Sequence, residues 1–356
     1  MQAAPDRRLA AHSSRCSRPG CRIDSRIGAS REHFAAIAAS ATLGAGFSMA
    51  ASMSLQRSAR RYLQLDVFAE RPGGGNPLGV VFDAAGLDTV SMQAFAAWTN
   101  LSETIFLLPP TTDAADYRVR IFTPRQELPL AGHPSVGAAW AAVEGGLVSA
   151  REGALVQECA AGLLPVRVDG GAGDMRVHVR APRAREITKA ALLHEAALRT
   201  ALAKLPPGRQ PPALWNNGPA WWVVELADGA AVRAMQPDLA AIAALTQASS
   251  AVGLAVYGRT DASDHQLVVR AYCPADNIPE DPVTGSVNAC IAAQLAQAGT
   301  LPGRDGRYVA SQGRELGRDG KVHVRVDADG EVWIGGQVQC VIDGRVDWPA
   351  QPGSVR

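Results

Sequence analysis

Residues 127–132 have the sequence ELPLAG, and residues 280–285 repeat it as EDPVTG, with glutamate, proline and glycine at matching positions. Two further matches precede this one in each copy. The pattern AAxTxxS begins at Ala96 and again at Ala243, and VRxxxP begins at Val119 and again at Val269. The matches keep their order while their offsets grow from 147 to 150 to 153 residues. Self-similarity of this kind indicates a duplicated structural unit.

Each copy predicts the same order of elements, namely a helix, two strands, a loop with the shared glycine, and an alanine-rich helix. β-branched and aromatic residues favour the strands, prolines stop the second strand, and glycines end the alanine-rich helices. The predicted elements are helix 90–100, strands 104–108 and 117–123 and a helix after Gly132, and then helix 237–246, strands 253–257 and 266–273 and a helix after Gly285. The sequence therefore predicts two similar α+β halves.

The duplication divides the chain into four parts. We expect residues 1–57 to be a poorly structured extension, residues 58–181 to form the first half, and residues 182–335 to form the second half. Residues 336–356 are expected to supply a last strand that returns to the first half, followed by a tail. Clefts between domains commonly hold small-molecule sites, so we expect the functional site between the halves.

The N-terminal extension carries seven arginines before residue 32, followed by an alanine- and serine-rich stretch from Phe34 to Met53. A basic lead before an apolar stretch is typical of a targeting peptide. However, the stretch is only weakly apolar, and Met49 or Met53 would be a natural first residue if the start is assigned too far upstream. We favour the mis-assigned start and keep the targeting segment as the alternative.

The composition is that of a globular protein, since hydrophobic residues make up 47% and charged residues 19% of the 356 residues. The formal net charge of +1 does not favour nucleic acid or an anionic membrane as a partner. None of the six cysteines forms a CxxC pair, and no histidine cluster has zinc-ligand spacing. We therefore expect a cytoplasmic protein that binds no metal, no nucleic acid and no membrane.

Three common cofactor and catalytic motifs are missing from the sequence. The glycines at 73–75 lead into a strand without a following GK[ST], which excludes a P-loop. No GxGxxG opens a βαβ unit, so a nicotinamide or flavin domain is not expected. No GxSxG nucleophile elbow is present either.

Gly132 and Gly285 each stand at the predicted N-terminus of an alanine-rich helix. Unpaired backbone N–H groups and the helix dipole favour a negative group at such an end. Two ends that face one cleft would hold a substrate carboxylate or stabilise an enolate. The alternative is ordinary capping, because Thr284 and Ser286 are good N-cap residues.

The titratable groups of the two copies differ: the first has Glu103 and His133, and the second has Asp281. In the repeat, Glu103 stands opposite Ser250, and Leu128 stands opposite Asp281. If the halves face each other, the three titratable groups converge as a general acid–base site requires. A carboxylate in apolar surroundings would also have its pKa raised toward neutral pH.

Each candidate also has an ordinary structural interpretation. Glu103 could be a surface glutamate at a helix end, His133 a loop histidine with structural hydrogen bonds, and Asp281 an Asx-turn residue. Glu127 and Glu280 occur in both copies, which indicates a role in the fold, so we leave them out of the catalytic set.

Four motifs together resemble the PhzF-like phenazine biosynthesis family, within the diaminopimelate-epimerase-like superfamily. They are GNPLGVV at 75–81, NLSET at 100–104, ELPLAGHP at 127–134 and EDPVTGS at 280–286. Asn217-Gly218-Pro219 resembles a fifth motif of that family. The similarity extends from about Tyr62 to Trp348 in the family's order, and the extension before Met53 has no counterpart.

The resemblance implies two duplicated halves, each a rolled β-sheet around a central helix, usually assembled as a homodimer. It implies a cofactor-independent isomerase with Glu103 as general acid/base and with His133 and Asp281 as catalytic partners. It also implies substrate-binding positions at Asn76, Gly132, Asn217, Gly218, Thr284, Gly285 and Ser286. The family's named reaction isomerises a dihydro-hydroxyanthranilate by proton transfer, so a small carboxylate is the expected substrate.

Two other functions stay open. The same scaffold could serve as a non-catalytic binding protein for a small molecule, since a fold does not dictate chemistry. It could also be an epimerase or racemase of a small amino acid. Such relatives carry a cysteine in each glycine loop, and the corresponding residues here are approximately Ala131 and Pro282, neither of which carries a proton. We therefore prefer proton transfer by a single carboxylate.

Overall fold

The structure is a computed structural model that describes residues 59–171 and 173–348, all of which belong to one compact unit, Ser54–Arg356. The expectations for residues 1–57 and for the C-terminal tail concern residues outside those described. Within the described part of the chain, no helix is long and apolar enough to cross a membrane.

The first half forms most of a β-barrel. Its elements are β1 (Arg60–Val67), β2 (Asn76–Val81), α1 (Thr89–Thr99), β3 (Glu103–Leu108), β4 (Tyr117–Phe122), β5 (Glu127–Leu128), α2 (Gly132–Glu144), β6 (Ala154–Cys159), β7 (Gly162–Asp169) and β8 (Arg176–Arg180). Strands β2 and β3 pair in parallel, as do β4 and β6, whereas the other neighbours are antiparallel.

The second half repeats this arrangement with additional short helices. Its elements are β9 (Arg185–Glu186), α3 (Ala190–Leu193), α4 (Glu195–Ala201), β10 (Ala213–Asn216), β11 (Ala220–Glu225), α5 (Gly229–Ala234), α6 (Leu239–Ser249), β12 (Gly253–Arg259), β13 (Leu267–Cys273), β14 (Ile278–Asp281), α7 (Gly285–Gln297), β15 (Arg307–Gln312), β16 (Gly320–Val326) and β17 (Val332–Val346). Here β11 and β12 pair in parallel, as do β13 and β15.

The last strand, β17, belongs to both halves. It pairs with β16 of the second half and with β8 and β1 of the first half. The pairing with β8 and β1 closes the ring β1-β2-β3-β4-β6-β7-β8-β17 around α2. The two sheets are therefore continuous through a single shared strand.

The helices α2 and α7 are the centres of the two halves. Nine residues of each helix are buried; seven of those in α2 and four of those in α7 are alanine, glycine, serine or valine. Small residues are needed because the surrounding sheet approaches closely: a Cβ atom on Gly137 would lie 2.3 Å from Leu78 Cδ2. The structure thus confirms the predicted α+β, diaminopimelate-epimerase-like fold, with a rolled sheet around a central helix in each half.

The predicted helices and strands of the repeat are present with small shifts at their ends. The helix predicted at 90–100 is α1, Thr89–Thr99, and the helix predicted at 237–246 is α6, Leu239–Ser249. Residues 321–348 hold most of β16 and all of β17.

The structure corrects the alignment of the two copies around Glu103. Helices α1 and α6 both end at a residue in the left-handed conformation, Asn100 (φ 52°) and Ser250 (φ 54°), so these two residues correspond. The first residues of the following strands, Glu103 and Gly253, therefore correspond as well. Placing Ser250 opposite Glu103 was wrong by three residues, because the AAxTxxS match does not follow the helix ends.

Glu127 and Glu280 hold matching ion pairs in the two halves. Glu127 accepts two hydrogen bonds from the Arg120 guanidinium, and Glu280 accepts two from Arg270. In each half this pair joins the second strand of the repeat to the short strand before the glycine loop. The interpretation of both glutamates as parts of the fold agrees with these contacts.

Candidate active site

The N-termini of α2 and α7 meet at their first residues, Gly132 and Gly285. A Cβ atom added to Gly285 would lie 3.4 Å from Gly132 Cα and 2.7 Å from Ile334 Cδ1, so a larger residue would crowd this contact. The contact brings the first backbone N–H groups of both helices to one place. Such groups, together with the helix dipoles, attract a negative group.

The first backbone N–H groups of α2 and α7 are not capped by the side chains of the N-cap residues. Ala131 and Thr284 are the N-cap residues, and neither side chain bonds to a backbone N–H of its helix. Instead, the Thr284 hydroxyl donates to Asp281 Oδ2. The capping alternative raised by the sequence therefore does not explain the pair of helix ends.

Glu103 is the first residue of β3, and its side chain is 17% exposed. Its Oε2 lies 3.4 Å from His133 Nε2, and both atoms are buried without a hydrogen-bond partner. Burial raises the pKa of Glu103 to about 7, against a smaller lowering effect of the Ser102 hydroxyl. The carboxyl group can therefore accept and release a proton near neutral pH.

His133 is the second residue of α2 and is 7% exposed. Burial lowers its pKa to about 4, although the negative charge of Asp281 and a hydrogen bond with the Pro77 backbone act in the opposite direction. The imidazole is therefore neutral at pH 7. A neutral imidazole can donate or accept a hydrogen bond beside Glu103 without fixing that carboxylate as an ion pair.

Asp281 ends β14 and comes from the second half. Burial raises its pKa to about 6, whereas the Thr284 hydroxyl and Asn76 stabilise its ionised form and lower that pKa. Asn76 Nδ2 donates to Asp281 Oδ1 at 3.2 Å and to the Val283 carbonyl at 2.9 Å. Asn76 thus ties the first half to the glycine loop of the second half.

Gln312 is a buried residue of this region that sequence reasoning missed. Its Nε2 donates to the Asp281 carbonyl and to Thr284 Oγ1, and its Oε1 accepts from the Thr284 N–H. It lies on β15, far from the motifs in sequence, and no repeat pattern marks it. Only the parallel pairing of β13 with β15 would have placed it beside the loop.

The predicted substrate-binding residues of the second half lie around the start of α7. Asn217 Nδ2 donates to the Ser286 carbonyl at 3.0 Å, and Trp221 Nε1 donates to Ser286 Oγ at 3.1 Å. Gly218 is exposed, has φ +116°, and donates its N–H to Asn216 Oδ1, so it shapes the turn beside Asn217. No contact of Gly218 with the other candidate residues is seen among the described residues.

A thiol mechanism would need a cysteine in each of the two glycine loops. The N-cap residues Ala131 and Thr284 correspond in the two halves, and Thr284 lies two residues after Pro282. Neither position is a cysteine. The nearby Cys273 is 4% exposed, and burial raises the pKa of its thiol well above the usual range. No group of three metal-ligating side chains occurs in the described part of the chain.

The two rolled sheets share one strand, and the N-termini of their central helices meet beside unpaired acid–base groups. These features define the class of diaminopimelate-epimerase-like isomerases. The model of the phenazine biosynthesis-like family, PhzC-PhzF, matches residues 65–344. The chain belongs to this family, and it is an isomerase.

Three similar proteins illustrate the relationship. Antisense-enhancing sequence 1 of Schizosaccharomyces pombe is 33% identical over 292 residues, which cover 80% of this chain and 97% of that protein. The trans-2,3-dihydro-3-hydroxyanthranilate isomerase of Pseudomonas aeruginosa is 33% identical over 293 residues, which cover 80% and 98%. The crystal structure of a Bacillus anthracis PhzF-family protein superposes with a TM-score of 0.66 at 25% identity, covering 81% of this chain and 99% of that one.

Proposed function

We propose that this isomerase moves a proton between carbon atoms of a small carboxylated substrate, with Glu103 as the general acid/base and without a cofactor. The observation that carries the proposal is the Glu103–His133 contact. A carboxylate oxygen and an imidazole nitrogen face each other at 3.4 Å, both buried and both without a hydrogen-bond partner. Buried polar atoms are usually paired, and exceptions are often catalytic.

The meeting of the two helix N-termini supports a carboxylate as the anchoring group of the substrate. The first turns of α2 and α7 offer backbone N–H groups at the Gly132–Gly285 contact, where the neighbouring side chains leave them uncapped. The same groups would stabilise the negative charge that develops when a proton leaves the adjacent carbon.

The proposed reaction needs one residue to carry the proton both ways. Ionised Glu103 removes a proton from carbon, the electron pair delocalises toward the bound carboxylate, and protonated Glu103 returns the proton to another carbon. Neutral His133 would hydrogen-bond to the substrate beside Glu103. Asp281, which carries the second buried carboxylate, would hold a substrate donor group while its own position is fixed by Asn76 and Thr284.

We propose a substrate of the dihydro-hydroxyanthranilate type, because the similar Pseudomonas aeruginosa protein is named for such a compound. The decisive experiment is transfer of deuterium from heavy water into this substrate. Wild type should exchange and isomerise it, whereas Glu103→Gln should lose at least about 10²-fold in kcat. The exposed Glu70→Gln is the matched control and should keep full activity.

Two results would count against the proposal. Full activity in Glu103→Gln would remove Glu103 from the mechanism. Binding of the substrate by wild type with neither exchange nor isomerisation would favour the non-catalytic binding protein.

We further propose that the protein is a cytoplasmic homodimer. Family membership supports the dimer, and the cysteine usage of the sequence supports the compartment. Cys159, Cys273, Cys290 and Cys340 are free thiols in the described part of the chain. Light scattering should give a particle of twice the 37.3 kDa chain mass, and a mass of one chain would refute the dimer.

A further inference from the structure

Trp221 forms part of the wall of the site in the second half. It is 3% exposed and lies on β11, directly beside Gly253 in the parallel pair β11–β12. Gly253 is the counterpart of Glu103, and a Cβ atom on it would lie 2.3 Å from Cζ3 of the Trp221 ring. The indole therefore fills the place at which a side chain equivalent to Glu103 would begin.

The same indole is bound to a residue of the proposed carboxylate site. Trp221 Nε1 donates to Ser286 Oγ at 3.1 Å, while Asn217 Nδ2 donates to the Ser286 carbonyl at 3.0 Å. Ser286 is thus held at its side chain and at its backbone. Its neighbours Gly285 and Val287 are buried, whereas Ser286 itself is partly exposed at the start of α7.

The direction of the Trp221–Ser286 hydrogen bond decides what the hydroxyl can do. An indole N–H is a donor only, whereas a serine hydroxyl has one proton to donate and two lone pairs that accept. Trp221 therefore occupies a lone pair of Ser286 and leaves the hydroxyl proton for another acceptor. Beside the N-terminus of α7, a substrate carboxylate oxygen is the acceptor that the local dipole favours.

We propose that Trp221 is a positioning residue: its N–H orients the Ser286 hydroxyl so that the hydroxyl proton is donated to the substrate carboxylate. This inference rests on the proposed function, because it requires a carboxylate at the N-terminus of α7. It adds a residue of the second half to the recognition of the substrate, one that acts through Ser286 without touching the reacting atoms.

The neighbouring residue on β11 offers a matched control. Trp222 is also buried, and its Nε1 donates to a serine hydroxyl, Ser249 Oγ, at 2.9 Å. It faces the other side of the strand and packs in a different hydrophobic cluster, with Leu245 and Leu254. Replacing it by phenylalanine removes an equivalent hydrogen bond at a place remote from Ser286.

The test is the affinity for anthranilate, an aromatic carboxylate of the proposed substrate type, measured by calorimetry. Trp221→Phe and Ser286→Ala should each weaken binding about three- to tenfold, the value of one hydrogen bond. The double variant should bind no more weakly than Ser286→Ala, because both changes remove the same interaction. Trp222→Phe should bind as wild type does. With substrate, kcat/KM should fall by at least the same factors in Trp221→Phe and Ser286→Ala and should stay unchanged in Trp222→Phe.

The other possible results would contradict either the role of Trp221 or the carboxylate site itself. Additive losses in the double variant, or unchanged binding in Trp221→Phe, would overturn the role of Trp221 while leaving the Glu103 mechanism intact. If wild type does not bind anthranilate, the proposed carboxylate site fails and this inference fails with it. If Trp221→Phe does not fold, unchanged binding in Ser286→Ala, which retains the indole, overturns the inference on its own.

Discussion

His133 Nε2 and Glu103 Oε2 lie 3.4 Å apart, buried and without a hydrogen bond to each other or to any other described group. Burial drives their proton affinities in opposite senses, since it raises the pKa of Glu103 to about 7 and lowers the pKa of His133 to about 4. Near neutral pH, the carboxyl group of this pair therefore changes its charge while the imidazole stays neutral.

The pH dependence of catalysis should follow from Glu103. Because a general base must be deprotonated to act, kcat/KM should rise with pH around a midpoint near 7, the pKa of Glu103. Initial rates with the dihydro-hydroxyanthranilate between pH 5 and pH 9 would show this limb. A rate that is constant from pH 6 to pH 8 would contradict the assignment.

Ser102 tunes this midpoint. Its hydroxyl stabilises the ionised form of Glu103 and so lowers the pKa of that carboxyl group. In Ser102→Ala the rising limb of the pH profile should move to higher pH, with the plateau rate less affected than the midpoint. A limb that stays in place or moves to lower pH would mean that the Ser102 hydroxyl does not stabilise the carboxylate.

The buried carboxyl group should destabilise the folded protein at neutral and higher pH. The pKa of Glu103 is raised from 4.5 to about 7 on folding, so its protonated form is favoured in the folded state and stability falls as pH rises between these values. Glu103→Gln removes this penalty and should raise the free energy of unfolding at pH 8 by about 1–3 kcal/mol. Near pH 4 the gain should vanish. Urea unfolding of both proteins at the two pH values measures the difference.

The contact between the two glycines should not tolerate a methyl group. In Gly285→Ala the new Cβ would lie 2.7 Å from Ile334 Cδ1, and overpacking of this kind costs about 1–3 kcal/mol. The additional change Ile334→Val removes the Cδ1 atom and should recover part of the loss. If the double variant is no more stable than Gly285→Ala in urea unfolding, the crowding lies elsewhere.

The two matched ion pairs should contribute differently to the free energy of unfolding, because they differ in burial. The side chains of Arg270 and Glu280 are 7% and 8% exposed, whereas those of Arg120 and Glu127 are 23% and 30% exposed. Glu280→Gln leaves Arg270 as a buried charge with a weaker partner, and breaking such a pair costs about 3–5 kcal/mol. Glu127→Gln should cost about 0–1 kcal/mol. Equal losses in thermal or urea unfolding would show that burial does not set the difference.

The sequence predicted the duplication and the two glycine loops well, because helix starts, helix stops and proline breaks are local signals. It failed on the correspondence of Glu103, which stands opposite Gly253 and not Ser250. Short matches of alanine, threonine and serine arise easily in alanine-rich helices. The left-handed residues that end the helices, Asn100 and Ser250, were the better marker.

The supporting residues of the site could not be predicted from the sequence alone. Gln312 reaches the Asp281 loop through the pairing of β15 with β13, and Trp221 reaches Ser286 from β11. Both depend on contacts between residues 31 to 65 positions apart. No local pattern marks them, and neither has a counterpart of the same type in the first half, where Leu78 stands at the position of Trp221.

Because β17 completes the barrel of the first half and continues the sheet of the second, neither half is a self-sufficient folding unit. A fragment ending at residue 181 would lack the barrel strand β17, so β1 and β8 would be left as open edges. Cutting the chain between the two copies would therefore not give two independently folded halves. Movement of one copy against the other would have to bend β17, the strand that both copies share.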